Sequence, residues 1–382
     1  MPDFKKLTLN ILNSTNQANH FIDTLETSNG FKLFERSEVS CYATCFAIFI
    51  KSLLKQFNWL DVRSEKLAKK LNIDLYQMYQ DKIADGVDWR YDKSFLQFYC
   101  FVLSSLNILN RTLSTQNLEI FKKILNIDVV KSLKKKGVEE GLGQSGNYSM
   151  FIATFNIYAN DFLKIDRSKE IKDWLNLNIN SINNNGFWGK KSNIDYLQFQ
   201  NGFHQYEIFE YLKINIIPWN TAARSTLLMA DKYGHFAPYP GGGGCYDYDA
   251  TFMLTSEFVD DIGQLNILKK TLNSILNDQN SDGGFCESRH IKYYKLPNIK
   301  KIISHILTQP SHIRLWSIYM NLNLCRFKHR NIYSYWTKPY REWDESNSWD
   351  TFFRLLTIYR ICNYLNLEEK NLFQVNNFPG IG

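Results

Sequence analysis

The residues best suited to chemistry lie together in the segment 234–254. Four consecutive glycines, Gly241–Gly244, precede two carboxylates, Asp247 and Asp249. Glycine is usual where the backbone must approach another group closely. Residues two apart on a helix point in different directions, so both carboxylates can reach one ligand only at the junction between loop and helix. The pattern predicts paired carboxylates for acid–base chemistry at such a junction.

A simpler interpretation is that one of these aspartates caps the helix that follows, because the first N–H groups of a helix need acceptors. One cap explains one aspartate and none of the glycines. A helix N-terminus also stabilises the anion. A general acid at this place must therefore be kept protonated by burial and by sharing a proton with the other carboxylate.

The elements that position this segment form a repeat. A glycine closely followed by an aromatic residue recurs at Gly30-Phe31, Gly86-Val87-Asp88-Trp89, Gly186-Phe187-Trp188, Gly234-His235-Phe236 and Gly284-Phe285. Apolar segments, typical of buried helices, follow at Ser40–Leu54, Ser94–Leu109, Met150–Tyr158, His204–Leu212, Tyr248–Phe258 and Trp349–Leu365. Strand patterns are nearly absent. The chain is therefore predicted to be all-α, with about six to seven helical hairpins.

Stacked hairpins form either an open solenoid or a closed ring. An open solenoid needs a polar capping repeat at each end, and neither end of this sequence resembles one. We therefore expect a closed α/α toroid that forms a single domain, residues 1–382, with the apolar helices inside and the loops at the ends.

Two motifs carry a resemblance to a known family. The stretch Gln279–Phe285, QNSDGGF, resembles the QxxxGxF/W element of terpenoid cyclases and protein prenyltransferases, and Asn184–Gly189 and Ser28–Phe31 resemble degraded copies. Asp247–Thr251, DYDAT, is similar to the DxDDT motif of class II terpenoid cyclases, with Ala250 at the place of the third aspartate. The resemblance implies an α/α toroid that acts on isoprenoids.

In that family the middle aspartate protonates an alkene or epoxide, and aromatic rings stabilise the cations that follow. The resemblance thus implies Asp249 as general acid and Asp247 as its supporting carboxylate. Tyr246, Tyr248 and Phe252 flank this pair and are the candidate rings of an aromatic cavity. Mg²⁺ is expected only with a diphosphate substrate.

The prenyltransferase branch of the resemblance implies a zinc site. Its members hold Zn²⁺ through Asp, Cys and His, and Cys245 and Asp247 have usable ligand types, with His290, His305 or His312 as a third. The order of Asp and Cys is reversed here, and cysteine is commonly buried as a small hydrophobe. The sequence therefore argues against a metal site.

Two further segments keep other functions open. His204 and Glu207 share a helix face, with Tyr206 between them, a set that could serve acid–base chemistry on a sugar. Trp349, a further candidate substrate-binding ring, lies in an acidic and aromatic stretch, 343–350, that is expected at a ring end, with Ser348 as the N-cap of the next helix. A carbohydrate-active toroid and a toroid that only binds a ligand remain as alternatives to the cyclase hypothesis.

Composition excludes several classes. A net charge of +7 is too diffuse for nucleic acid, and no GxxxxGK[ST] loop supports a nucleotide site. Seven scattered cysteines argue against a disulfide scaffold, and no apolar run suits a secretory signal or a membrane span. We expect a cytoplasmic protein with a small-molecule partner, an isoprenoid or a glycan. Peripheral membrane contact and the oligomeric state stay open.

Overall fold

The computed structural model describes residues 2–190, 194–215, 218–256, 262–291, 296–309, 311–326, 331–332, 336–376 and 378–380. Within these residues the chain is all-helical, which confirms the predicted class. Its α-helices are α1 Pro2–Thr24, α2 Cys41–Leu53, α3 Phe57–Ala84, α4 Lys93–Ile108, α5 Thr115–Leu125, α6 Val129–Lys135, α7 Ser145–Asp161, α8 Ser168–Asn180, α9 Tyr196–Tyr211, α10 Trp219–Leu227, α11 Gly244–Ser256, α12 Ile262–Asp278, α13 Leu296–Thr308, α14 Ser311–Arg326 and α15 Ser348–Tyr364.

Short elements complete the described chain. Two 3₁₀ helices are Trp89–Tyr91 and Glu368–Leu372. Two antiparallel pairs are formed by β1 Glu26–Thr27 with β2 Gly30–Phe31, and by β3 Asn331–Ile332 with β4 Arg341–Glu342. No described helix combines the length and apolar character that a membrane span requires.

The chain divides into two compact units. Unit 1 comprises Met1–Phe57 and Ala223–Val375, and unit 2 comprises Asn58–Ala222 and Asn376–Gly382. In unit 1, α15 packs against α11, α2 and α12; in unit 2, α7 packs against α4, α8 and α9. The prediction of a single closed toroid over 1–382 stays a prediction.

The six predicted apolar segments lie in α2, α4, α7, α9, α11 and α15, and buried residues dominate each of these helices. The fourth prediction began eight residues late, because Tyr196–Phe203 alternates polar and apolar residues. The end of the fifth, 257–258, lies outside the described residues. The N-cap of α15 is Asn347, whose Oδ1 accepts from the Asp350 N–H at 2.9 Å, and not the expected Ser348.

Four of these helices end in the same way. The C-cap of each is a leucine, and the residue after it has a positive φ. These following residues are Lys55, Asn110, Lys213 and Asn366. The N–H of the next residue then donates to the carbonyl five residues before it, as Gln56 does to Lys51 at 2.8 Å. This is the Schellman arrangement, which satisfies the last carbonyls of a helix. The shared ending supports the helical repeat in both units.

The glycine–aromatic turns also repeat in geometry. Gly186, Gly234 and Gly283 have φ of 87°, 87° and 90°, and each donates its N–H to the carbonyl three residues before it. In the pair given above as Gly284-Phe285, the turn glycine is thus Gly283 and not Gly284. In each turn the aromatic residue two positions later is buried, namely Trp188, Phe236 and Phe285. A Cβ on these glycines would strike the backbone of Ala222, Thr271 and Gln17 respectively, so each turn is held closely against a helix.

Candidate functional site

The four-glycine turn of unit 1 is tightly packed because carboxyl side chains lie against it. A Cβ at Gly242 would lie 2.7 Å from both carboxylate oxygens of Asp247, and one at Gly244 would lie 3.0 Å from Asp350 Oδ1. A Cβ at Gly243 would collide with the Glu287 carboxylate. The turn therefore passes between carboxylates of three different segments, and only glycine leaves room for them.

The first cluster is built on Asp247, which is fully buried on α11. Its Oδ2 accepts from His235 Nδ1 at 2.8 Å and from the Arg354 guanidinium, and its Oδ1 accepts from the Phe236 N–H at 2.9 Å. Arg354 also donates to the carbonyls of Gly241 and Gly242. Asp247 is thus the anion that joins α11, the 235–236 loop and α15.

His235 lies between two carboxylates. Its Nδ1 faces Asp247, and its Nε2 lies 3.6 Å from Asp278 Oδ2. Burial disfavours the imidazolium, but the carboxylates of Asp247 and Asp231 outweigh burial and raise the pKa of His235. Asp231 also accepts from His305 Nδ1 at 3.1 Å. Protonation of His235, which these carboxylates favour, balances part of the negative charge beneath the glycine turn.

A small cavity adjoins this cluster. Its volume is about 230 Å³, and it is lined by Tyr233, His235, Pro240, Gly241, Ser274, Asn277, Asp278 and His290. Asp278 Oδ1 lies 3.1 Å from His290 Nε2. Burial opposes ionisation of Asp278, but His290 and His235 lower its pKa. The volume lies below the range of about 300–1,000 Å³ that is usual for drug-sized ligands.

The second cluster surrounds Arg341. Its two terminal nitrogens donate to Glu287 Oε2 and Asp350 Oδ2, both at 2.8 Å. Glu287 also accepts from the Tyr239 hydroxyl, and Asp350 accepts from Asn347 Nδ2 at 2.6 Å. Burial, and then repulsion by Asp350, raise the pKa of Glu287 despite Arg341. Asp350 Oδ1 is buried and has no hydrogen-bond partner among the described residues, so it can accept from a protonated neighbour.

Asp249 lies on α11, one turn beyond Cys245, and is 5% exposed. Burial raises the pKa of the Cys245 thiol well above its usual value, and the carboxylates of Asp249, Glu287 and Asp350 raise it further. Asp249 and two carboxylates of the second cluster therefore act on the same thiol, whereas Asp247 belongs to the first cluster. The two predicted catalytic carboxylates sit inside the helix and contact different groups, as their spacing of two residues requires.

Three of the predicted substrate-binding rings form one aromatic group. Tyr248 and Trp349 both contact Phe353, with ring centroids 5.4 and 4.5 Å apart, and Tyr248 also contacts Phe252 at 6.4 Å. The guanidinium carbon of Arg360 lies 4.1 Å from the Phe252 centroid. The face of Phe252 thus already stabilises a cation, in the geometry that cation–π attraction requires.

The fourth ring, Tyr246, packs in the group around Tyr239. Its centroid is 6.1 Å from that of Tyr239, which contacts Trp343 at 5.2 Å, and it packs against the buried group formed by Ala237, Tyr239, Ile291 and Trp343. Tyr246 therefore packs beside Tyr239, the hydroxyl of which donates to Glu287.

His204 and Tyr206 belong to α9 of unit 2. The Tyr206 hydroxyl donates to the Gly186 carbonyl at 2.6 Å, and its ring packs on Trp219 at 4.6 Å. His204 Nε2 lies 2.6 Å from Asn147 Nδ2. Burial, with Lys93 as a further cause, lowers the pKa of His204 to about 3, so the imidazole is neutral at pH 7.

The zinc candidates are not gathered into a ligand set. Cys245 and Asp247 contact different clusters, His290 and His305 pair with Asp278 and Asp231, and the side chain of His312 lies outside the described residues. Within the described part of the chain, no group of three or more His, Cys, Asp or Glu could hold a metal ion.

Sequence reasoning missed most partners of the two clusters. Glu287, Arg341, Arg354 and Asp278 lie 29 to 107 residues from the aspartates of α11 and are brought to them only by folding. One local signal was available: Arg354 stands between Phe352-Phe353 and Leu355-Leu356. A cation in so apolar a stretch requires a buried carboxylate.

Comparison with known proteins gives no further guide: no family model, no curated protein and no solved structure matches the chain. Function must therefore be inferred from the two buried clusters and the aromatic group beside them.

Proposed function

We propose that unit 1 protonates an isoprenoid substrate and cyclises it, with Asp249 as the general acid. The observation that carries this proposal is the convergence of Asp249, Glu287 and Asp350 near Cys245, with the guanidinium of Arg341 among them. Three buried carboxylates with one cation favour retention of a proton, because like charges in a low-dielectric interior cannot all ionise. Such a set can hold a carboxylic acid at neutral pH.

The role of Asp247 differs from that of Asp249 in this proposal. Its three donors stabilise the anion, so Asp247 acts as a fixed negative charge that positions α11. The proton is instead shared among Asp249, Glu287 and Asp350. Ala250, at the place of the third aspartate of the resembling family, is then compensated by carboxylates from outside the motif.

Besides a proton donor, cyclisation requires groups that stabilise a carbocation, and in this proposal the aromatic group supplies them. Protonation of an alkene creates a carbocation that must be stabilised without being captured by water. Tyr248 and Phe252 flank Asp249 on α11, and Phe353 and Trp349 extend the same group. The contact between Arg360 and Phe252 supports the capacity of these rings to face positive charge.

The test is incubation of the full chain with squalene and a panel of prenyl diphosphates, with and without Mg²⁺. Wild type is compared with Asp249→Asn and with Asp61→Asn, a change at an exposed position of α3. Cyclised product from wild type and Asp61→Asn, lost in Asp249→Asn, supports the proposal. Equal product from all three proteins would remove Asp249 from the chemistry, and inactivity of all three would favour a protein that only binds its ligand.

A further inference from the structure

The inner helices of unit 2 carry polar residues on one face. These are Lys93, Gln97, Cys100 and Ser104 on α4, Asn147 and Thr154 on α7, and His204 and Glu207 on α9. Within each helix the spacing is three, four or seven residues, so the side chains share a face. The remaining surface of these helices is largely apolar and buried. A polar face on such helices needs a polar partner.

These polar faces meet one another. α7 packs against both α4 and α9, and Asn147 Nδ2 lies 2.6 Å from His204 Nε2. Three other polar atoms along this seam, Thr154 Oγ1, Ser104 Oγ and His204 Nδ1, are buried and have no hydrogen-bond partner within the residues described. Since buried polar atoms are nearly always paired in native proteins, such atoms point to a partner from outside the chain.

A segment of the chain itself covers the seam. We call Phe378–Gly380 the plug. The Gly380 N–H donates to Glu207 Oε1 at 3.1 Å, and a Cβ on Gly380 would lie 3.0 Å from Thr154 Oγ1 and 3.5 Å from Cys100 Cβ. Gly380 has a φ of 98°, a conformation that favours glycine. The plug thus fits between α4, α7 and α9 because it has no side chain at that point.

One aromatic residue anchors the plug. The Phe378 ring packs on Tyr158 at 5.9 Å and on Phe162 at 5.5 Å. The plug makes one hydrogen bond to the seam through Gly380 and leaves Thr154 Oγ1 without a donor or acceptor among the described residues. A ligand with several hydroxyl groups would satisfy the seam better than the plug does.

We propose that this seam is a binding site for an uncharged polyhydroxylated molecule, which takes the place of the plug. The seam has one carboxylate, Glu207, and one cation, Lys93, whereas His204 is neutral. Its other polar groups are hydroxyls and amides, which pair with hydroxyls as both donors and acceptors. In the complex a ligand hydroxyl donates to Glu207 in place of the Gly380 N–H, and Thr154 bonds to a second hydroxyl. The site lies in unit 2 and does not depend on the acid proposed in unit 1.

The test titrates D-glucose and myo-inositol into the full chain by calorimetry. Gly380→Ala pushes the plug away from Thr154 and should tighten binding about tenfold, because apparent affinity scales with the fraction of open sites. In that background Thr154→Val should weaken binding about fivefold through loss of one hydrogen bond, and Thr154→Ser should retain it. Absence of binding to the opened variant, or equal binding by Thr154→Val, would overturn the proposal.

A second variant and a second measurement guard against misfolding of Gly380→Ala. Phe378→Ala removes the anchor of the plug, while Phe373→Ala, a buried ring of unit 1 that packs on Tyr359, is the matched control. Mass spectrometry then follows modification of Cys100 by methyl methanethiosulfonate. Phe378→Ala should expose Cys100 and glucose should protect it, whereas Phe373→Ala should leave it as in wild type. Unchanged labelling of Cys100 in Phe378→Ala would contradict the plug.

Discussion

Cys245 and Asp249 lie one helical turn apart on α11, and after burial the Asp249 carboxylate is the largest cause of the raised pKa of the Cys245 thiol. Glu287 and Asp350 act on the same thiol. Cys245 is therefore a built-in probe of the carboxylate cluster in which the proposed acid lies.

Asp249→Asn should lower the pKa of Cys245, because one negative charge near the thiolate is removed. The pH profile of Cys245 alkylation by iodoacetamide, followed by peptide mass spectrometry, should shift to lower pH. Asp61→Asn is the control and should leave the profile unchanged. An unshifted profile in Asp249→Asn would mean that this carboxylate does not face the Cys245 cluster.

Gly242→Ala should destabilise unit 1 more than its conformation alone explains. Gly242 and Gly86 both have positive φ, 54° and 67°, but a Cβ at Gly86 meets nothing within 4 Å, whereas one at Gly242 meets the Asp247 carboxylate. Gly242→Ala should therefore cost about 1–3 kcal/mol more than Gly86→Ala, as overpacking does. Denaturant unfolding measures both variants, and equal losses would contradict the close packing of the turn.

Asp247→Ala should be among the most damaging substitutions in unit 1. It leaves the guanidinium of Arg354, which is buried, without its carboxylate. Loss of one member of a buried pair costs about 3–5 kcal/mol of unfolding free energy. Asp61→Ala, at an exposed position, provides the baseline in the same denaturation experiment. If Asp247→Ala lost no more than about 1 kcal/mol of unfolding free energy beyond Asp61→Ala, which is roughly what a surface ion pair contributes, the Asp247–Arg354 pair would contribute little to stability.

His204 should make unit 2 sensitive to acid. Its pKa is about 3 in the folded protein and 6.5 ordinarily, so below pH 6.5 the unfolded chain binds a proton that the folded chain does not. Stability then falls as pH drops, by up to about 1.4 kcal/mol per pH unit until pH approaches the folded pKa.

The measurement is unfolding free energy between about pH 6 and pH 4 for wild type and His204→Gln, since linkage depends on the slope with pH. The variant should lose the part of the slope that His204 contributes, while changes in other groups affect both proteins alike. Parallel slopes would show that His204 is not held neutral by burial.

Local sequence was sufficient to predict the six most buried helices and several of the turns. Apolar stretches predicted α2, α4, α7, α9, α11 and α15, and the glycine–aromatic pairs predicted turns that share one backbone geometry at Gly186, Gly234 and Gly283. The Schellman endings at Leu54-Lys55, Leu109-Asn110, Leu212-Lys213 and Leu365-Asn366 were not predicted, although four of the six apolar segments end in a leucine followed by Lys or Asn.

The partners of the site residues could not be predicted in this way. Asp247 and Asp249 were predicted as a pair. In the structure Asp247 pairs with Arg354, whereas Asp249 acts on the same thiol as Glu287 and Asp350. Nothing in the local pattern distinguishes these two surroundings. Long-range ion pairs depend on how helices pack, which hydrophobic periodicity does not specify. Buried charges inside apolar runs, such as Arg354 and Lys51, are a local sign of such pairs.

The most direct test of the acid assigned to Asp249 is cyclisation in D₂O. Protonation of a carbon–carbon double bond by an acid in equilibrium with solvent leaves one non-exchangeable deuterium in the product, whereas protonation of an epoxide oxygen or loss of a diphosphate leaves none. Mass spectrometry of the product should show one added deuterium when the substrate is a prenyl diphosphate, and no product from Asp249→Asn. Product without deuterium from such a substrate, or deuterated product from Asp249→Asn, would contradict Asp249 as the acid.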